Sequence, residues 1–154
     1  MSQYHVDKVN DASIIFEHAI KINLDDDSSV VTNKKLQSFT FKEETYRQKK
    51  YAQMLVDVIK LLDEENPNKL QKLAEQNFAF KKTLKGNAHI TNDPERLYRP
   101  LLIRDNIFVE SNFSAASILR FIKILIKEFK VDPSLFYISV ANREDDNEEE
   151  EENF

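Results

Sequence analysis

Four basic side chains near the C-terminal end of the chain have the spacing that would place them on one face of a helix. They are Arg120, Lys123, Lys127 and Lys130, and residues three or four apart are neighbours on a helix surface. Such a row can follow nucleic-acid phosphates, because cations that contact the backbone release counterions. It can equally keep an apolar helix in solution. No aromatic residues alternate with the cations on that face, as single-strand binding would favour, so the sequence favours the solvated face and leaves nucleic-acid binding as an alternative.

Carboxylates brought together by folding are the second possible source of chemistry, in glycosidase-like or phosphodiesterase-like reactions. The contributors would be Glu43, Glu44, Asp93, Glu95, Asp105 and Glu110. The nearest match to a nuclease Glu-x-Lys pattern, Glu128-Phe129-Lys130, falls at a helix end and not on a strand. In a chain with 27 acidic residues such sets arise easily. We therefore predict no catalytic residues, with an enzyme that uses an undetected carboxylate site as a further alternative.

The residues that build metal and cofactor sites are scarce. His5, His18 and His89 are far apart and lack the spacing of a metal-binding helix, so each is predicted to be an ordinary surface or half-buried histidine. The single glycine, Gly86, excludes glycine-rich phosphate loops. The absence of cysteine excludes disulfides, thiol nucleophiles and thiolate ligands. We predict no metal and no cofactor.

The segment from Tyr98 to Val140 must position most of these candidates. Its pattern predicts strands over 99–104 and 107–111, a helix over 114–130 and a strand over 135–140. Asp105-Asn106 suits a tight hairpin turn, because short polar side chains tolerate positive φ angles. Ser114 is the predicted N-cap of the helix, and Asp132-Pro133 ends it.

Earlier in the chain, the apolar pattern of 13–24 fits a strand at least as well as a short helix, and we predict a strand there. The apolar pattern also predicts a strand over 36–41 and helices over 48–64 and 69–76. The helices over 48–64 and 114–130 each have one broad apolar face, and Asp57 falls on the predicted solvent side of the first. The fold class that follows is α+β, with a small, mostly antiparallel sheet covered by two amphipathic helices.

Charge divides the chain unevenly. The formal net charge is −5, from 27 acidic residues and 22 Lys and Arg. Eight of the carboxylates fall within 144–154, which leaves 19 against 22 basic residues in 1–143. We predict a single domain over 1–143 and a disordered acidic tail over 144–154. No long apolar run and no signal-peptide pattern is present, so we expect no membrane association and a cytoplasmic location.

Three segments carry a resemblance to a known family: Ser38–Phe41, Tyr51–Leu62 and Tyr98–Ser114. Together they resemble a module of bacterial restriction and phage-defence proteins, in which a hairpin of the form Tyr-Val-Glu-Thr-Asn-x-Ser opens a long helix. Phe108-Val109-Glu110-Ser111-Asn112-Phe113-Ser114 stands in that place. The chain lacks the glycine and tryptophan expected around the hairpin and first helix, and we expect no catalytic domain beside it. The resemblance covers about 36–140 and implies a recognition or assembly role beside nuclease or helicase-like partners.

The sequence thus favours a non-enzymatic protein-binding accessory or inhibitor module, with a protein as its partner. A nucleic-acid-binding accessory domain that uses the basic face of the last helix is the first alternative. The cryptic carboxylate enzyme is the second.

Overall fold

The computed structural model describes residues 19–82 and 87–143. The strands found there are β1 (Ile20–Asn23), β2 (Lys34–Phe41), β3 (Glu44–Arg47), β4 (Ile90–Thr91), β5 (Pro100–Arg104), β6 (Ile107–Glu110) and β7 (Phe136–Asn142). The α-helices are α1 (Tyr51–Glu65), α2 (Pro67–Glu75) and α3 (Ala115–Glu128). Antiparallel strands and helices are combined in one fold, which confirms the predicted α+β class.

The larger sheet has four strands in the order β1-β7-β2-β3, and all neighbouring pairs are antiparallel. β7 is an inner strand with a clear alternation of burial. Phe136, Ile138 and Val140 are buried, whereas Tyr137 and Ser139 between them are partly exposed. This alternation is typical of a strand that turns one face to the core.

The smaller sheet has three strands in the order β4-β6-β5, also antiparallel. Asp105 and Asn106 form the turn of the β5–β6 hairpin as predicted, and Asp105 adopts a φ of 45°, which a short polar side chain tolerates. The sequence predicted one sheet, but the described strands form two. The reason is that β7 returns after α3 to pair with β1 and β2 and not with the hairpin.

The helix α3 joins the two sheets and supplies much of the core. The predicted cap is present, since Ser114 Oγ accepts a hydrogen bond from Ser117 N–H at 3.2 Å. Its predicted apolar face is buried: Ile118, Leu119, Phe121, Ile122, Leu125 and Ile126. The helix ends at Glu128, two residues before the predicted end, and Lys130 leaves it with a φ of 57°.

The helix α1 packs against α3, and its apolar face is fully buried: Met54, Leu55, Val58, Ile59 and Leu62. The prediction for one residue of this helix was wrong. Asp57 is buried, and its carboxylate accepts hydrogen bonds from the side-chain amides of Gln48 and Gln53, at 2.9 and 3.2 Å. These two donors offset the desolvation of a charge that the helical pattern assigned to solvent.

A single hydrophobic cluster contains side chains from both sheets and from the three described helices. The short strands β3 and β4 were not predicted, because one is polar and the other has only two residues. None of the helices in 19–82 and 87–143 has the length and apolar content needed to cross a membrane. The predicted acidic tail over 144–154 and the start of the strand predicted within 13–24 lie outside the described residues.

Candidate functional site

The four predicted basic side chains lie along one side of α3 and the turn that follows it, but two of them contact residues of this chain. The guanidinium of Arg120 donates to Ser28 Oγ at 2.9 Å and to Ser117 Oγ at 3.0 Å. Lys123 Nζ lies 3.4 Å from Asp25 Oδ1. Both side chains therefore approach the aspartate-rich loop that follows β1.

That loop and α3 enclose a shallow cleft of about 190 Å³. Its lining mixes charges, with Asp26 opposite Arg120 and Lys123. Lys127 and Lys130 are exposed and lie further along, at the C-terminal end of the helix, where cations interact favourably with the helix dipole. The face is consequently of mixed charge at one end and basic at the other.

The described contacts of the candidate carboxylates Asp93, Asp105 and Glu110 are with other groups of the chain. Asp93 Oδ1 accepts from Glu95 N–H at 3.1 Å in a short 3-10 turn, and Asp105 pairs with Arg104 at 2.8 Å. Glu110 lies at the end of β6, and its contacts are all with backbone N–H groups. Among residues 19–82 and 87–143, no group of three or more His, Asp or Glu side chains is close enough to hold a metal ion.

One buried ion pair links α1 to the smaller sheet. Asp63 is 1% exposed, and its oxygens accept from Arg104 Nε at 2.7 Å and from Arg104 Nη2 at 3.1 Å. This two-point contact is the strong geometry for a guanidinium and a carboxylate. The pair is structural, since it joins α1 to β5.

The carboxylate of Glu110 accepts hydrogen bonds from the two residues that precede β5. Glu110 is 3% exposed; Oε1 accepts from Tyr98 N–H at 2.8 Å, and Oε2 accepts from Arg99 N–H at 2.8 Å. Oε2 is also within hydrogen-bond distance of the N–H groups of Ser111 and Asn112, at 3.1 and 3.3 Å. A charged acceptor with four donors holds both backbone segments in one position.

The segment that Glu110 holds displays the two most exposed large apolar side chains among the described residues. Tyr98 is 70% exposed and Leu102 is 54% exposed, against 42% for Val30 and 40% for Leu135 elsewhere on the surface. Pro100, between them, is also exposed. We call these three side chains the Tyr98–Leu102 surface. It lies on β5, an edge strand of the smaller sheet, and on the residues just before it.

A cleft of about 260 Å³ adjoins this surface, with Tyr98, Lys81, Asn112 and Phe113 among its lining residues. His89 lines it as well and is only 4% exposed. Its Nδ1 accepts a hydrogen bond from Phe80 N–H at 3.0 Å. The imidazole packs against three aromatic rings, with centroid distances of 4.9, 5.2 and 5.8 Å to those of Phe80, Phe113 and Phe121.

The pKa of His89 is lowered from 6.5 to about 4, mainly by burial and also by the nearby charge of Lys81, whereas the charge of Glu110 opposes the shift. The imidazole is therefore neutral near pH 7. The sequence predicted an ordinary surface or half-buried histidine, and the ring is more deeply buried than that. His5 and His18 lie outside the described residues.

Sequence reasoning did not identify Tyr98, Leu102 or His89 as site residues. The run Pro-Leu-Leu-Ile-Arg of β5 is almost wholly apolar, so no polar residue marks which side is exposed. The register of the hairpin, which sets Leu102 opposite Phe108, was the one available signal. Nothing local distinguishes His89, because the rings around it come from other parts of the chain.

Comparisons with known proteins found no family model, no curated protein and no solved structure that matches this chain.

Proposed function

We propose that this chain is a non-enzymatic protein-binding module that docks its partner on the Tyr98–Leu102 surface. The observation that carries the proposal is the exposure of Tyr98 and Leu102, at 70% and 54%. Large apolar side chains grouped on a surface are typical of interaction sites. Tyrosine in particular is enriched among the residues that contribute most to binding energy.

The backbone beneath this surface supports the same function. The carboxylate of Glu110 holds the N–H groups of Tyr98 and Arg99, both at 2.8 Å, so the segment is ordered before any partner arrives. Ordering in advance lowers the entropy lost on association. β5 is also an edge strand, and edge strands accept extended peptides in one common mode of recognition. Pro100 lacks an N–H and shortens that edge, so we assign the binding mainly to side chains.

The resemblance to a module of restriction and phage-defence proteins supplies the proposed class of partner. We propose that the chain acts as an accessory or inhibitor beside a nuclease or helicase-like protein. The cysteine-free sequence is compatible with a reducing, cytoplasmic setting, which is part of the same proposal.

The experiment compares three forms of the full chain as bait in extracts of the native host. The test variant carries Tyr98→Ala and Leu102→Ala, and the control carries Val30→Ala and Leu135→Ala, which also removes two exposed apolar side chains. We expect the wild type and the control to retain one stoichiometric protein that the test variant loses. Loss of 2 kcal/mol or more, about thirtyfold in affinity, is the size expected for a central aromatic contact.

Two results would contradict the proposal. One is the absence of any stoichiometric protein partner for the wild type. The other is equal retention of the partner by the test variant, provided that both variants unfold cooperatively like the wild type, because the Tyr98–Leu102 surface would then contribute nothing to binding.

A further inference from the structure

The ring of His89 presents an unused hydrogen-bond donor. Because Nδ1 accepts from Phe80 N–H, the neutral imidazole carries its proton on Nε2. Nε2 has no hydrogen-bond partner in the part of the chain that the structure describes, although the side chain is only 4% exposed. The His89 ring is one of the walls of the cleft of about 260 Å³. A nearly buried donor in the lining of a cleft is stabilised by an acceptor that enters the cleft.

The walls of the cleft favour an acceptor with a negative charge. Lys81 lines it, with Nζ 5.4 and 5.6 Å from the ring centroids of Phe80 and Phe113. Glu110 is the acidic group on the same wall, but both of its oxygens are occupied by backbone N–H groups. Its charge is thereby stabilised within the chain, and Lys81 has no such carboxylate partner among the described contacts.

The remaining lining is mixed. Ala88, Phe113 and Tyr98 supply apolar surface, and the other two lining residues are Asn87 and Asn112. The cleft, at about 260 Å³, is smaller than the roughly 300–1,000 Å³ of pockets for drug-sized ligands. It suits one amino-acid residue. A single residue that combines an apolar side chain with a carboxylate is the last residue of a peptide.

We propose that this cleft binds the C-terminal residue of the partner, with the terminal carboxylate accepting from His89 Nε2–H and pairing with Lys81, and an apolar side chain against Phe113 and Tyr98. The inference rests on the proposed function and names the chemistry of the partner. Tyr98 connects the docking surface with the cleft, since it belongs to both.

The test uses N-acetyl-L-phenylalanine as the probe and its carboxamide as the matched compound without the charge. Both are titrated into the full chain while NMR records the imidazole of His89 and the amide of Lys81. We expect the acid to bind at least tenfold more tightly than the carboxamide, since a hydrogen bond to a charged group exceeds a neutral one by about that factor. The bound carboxylate should also raise the pKa of His89, because a negative charge stabilises the imidazolium.

Two lysine variants supply the control within the protein. Lys81→Gln should weaken binding of the acid roughly tenfold and leave that of the carboxamide unchanged. Lys82→Gln removes the neighbouring exposed lysine, which is not part of the cleft lining, and should change neither. Equal binding of acid and carboxamide, no binding of either, or equal effects of the two variants would overturn the inference.

The outcomes separate this inference from the proposed function. If the captured protein depends on Tyr98 and Leu102 but binds Lys81→Gln as tightly as the wild type, the docking surface stands and the carboxylate site does not. If no partner is captured but the acid binds selectively at His89, the cleft stands as a carboxylate site and the docking function fails.

Discussion

Protonation of His89 should destabilise the fold as the pH falls. In the folded protein the ring is buried, and Phe80 N–H points at Nδ1 from 3.0 Å, where an added proton would face another donor. Desolvation is the main cause that lowers the pKa from 6.5 to about 4. Between these two values the unfolded chain binds a proton that the folded protein does not. Stability is therefore full above pH 6.5 and declines as the pH falls toward 4.

The size of this effect follows from the separation of the two pKa values. About two and a half units correspond to roughly 3 kcal/mol, and solvent screening through the cleft reduces this to on the order of 2–3 kcal/mol. Lys81 and Glu110 are the charged groups that act on the ring, with opposite effects on its pKa.

The assay compares the wild type with His89→Asn by urea unfolding at several pH values from 7.5 to 4. Asparagine keeps an oxygen that can accept from Phe80 N–H but does not titrate. His5, His18 and all carboxylates are common to both proteins, so the difference between the two curves isolates His89. We expect the wild type to lose about 2–3 kcal/mol more than the variant over this range. Parallel curves would refute the account of a buried neutral imidazole.

Three further predictions concern the core, the buried ion pair and the basic face. Asp63→Ala should cost about 3 kcal/mol in the free energy of unfolding, because it removes a buried carboxylate that contacts Arg104 at two points and leaves the guanidinium beside the exposed Asp105, whereas Asp105→Ala, at an exposed position, should cost less than about 1 kcal/mol. Phe121→Ala should cost roughly 2–5 kcal/mol and Lys123→Ala close to nothing. If the nucleic-acid alternative holds, replacing the four basic residues together should weaken nucleic-acid binding for all sequences and flatten the salt dependence of that binding. The four residues are Arg120, Lys123, Lys127 and Lys130.

Each of these predictions has a clear contrary result. Similar costs for the two aspartates, measured by urea unfolding, would mean that the buried pair contributes no more than the exposed one. Equal effects at Phe121 and Lys123 would mean that the faces of α3 are assigned backwards. A gel-shift titration at low salt that shows no complex, for the full chain and for the chain without 144–154, would remove the nucleic-acid alternative.

The sequence by itself determined the elements whose causes are local. The cap at Ser114, the turn at Asp105 and the buried face of α3 were all predicted, because each depends on residues within a few positions of one another. Helical spacing alone sets which side of α3 is apolar. The fold class follows from the same patterns.

Tertiary structure alone decided the division into two sheets and the content of the candidate site. β7 pairs with β2 across about a hundred residues of chain, and nothing within β7 specifies that partner. The buried carboxylate of Asp57 accepts a hydrogen bond from the side chain of Gln48. The carboxylate of Glu110 accepts hydrogen bonds from the backbone N–H groups of Tyr98 and Arg99. The environment of a polar side chain depends on which distant donors the fold brings to it, and a periodic pattern records only the average polarity of a face.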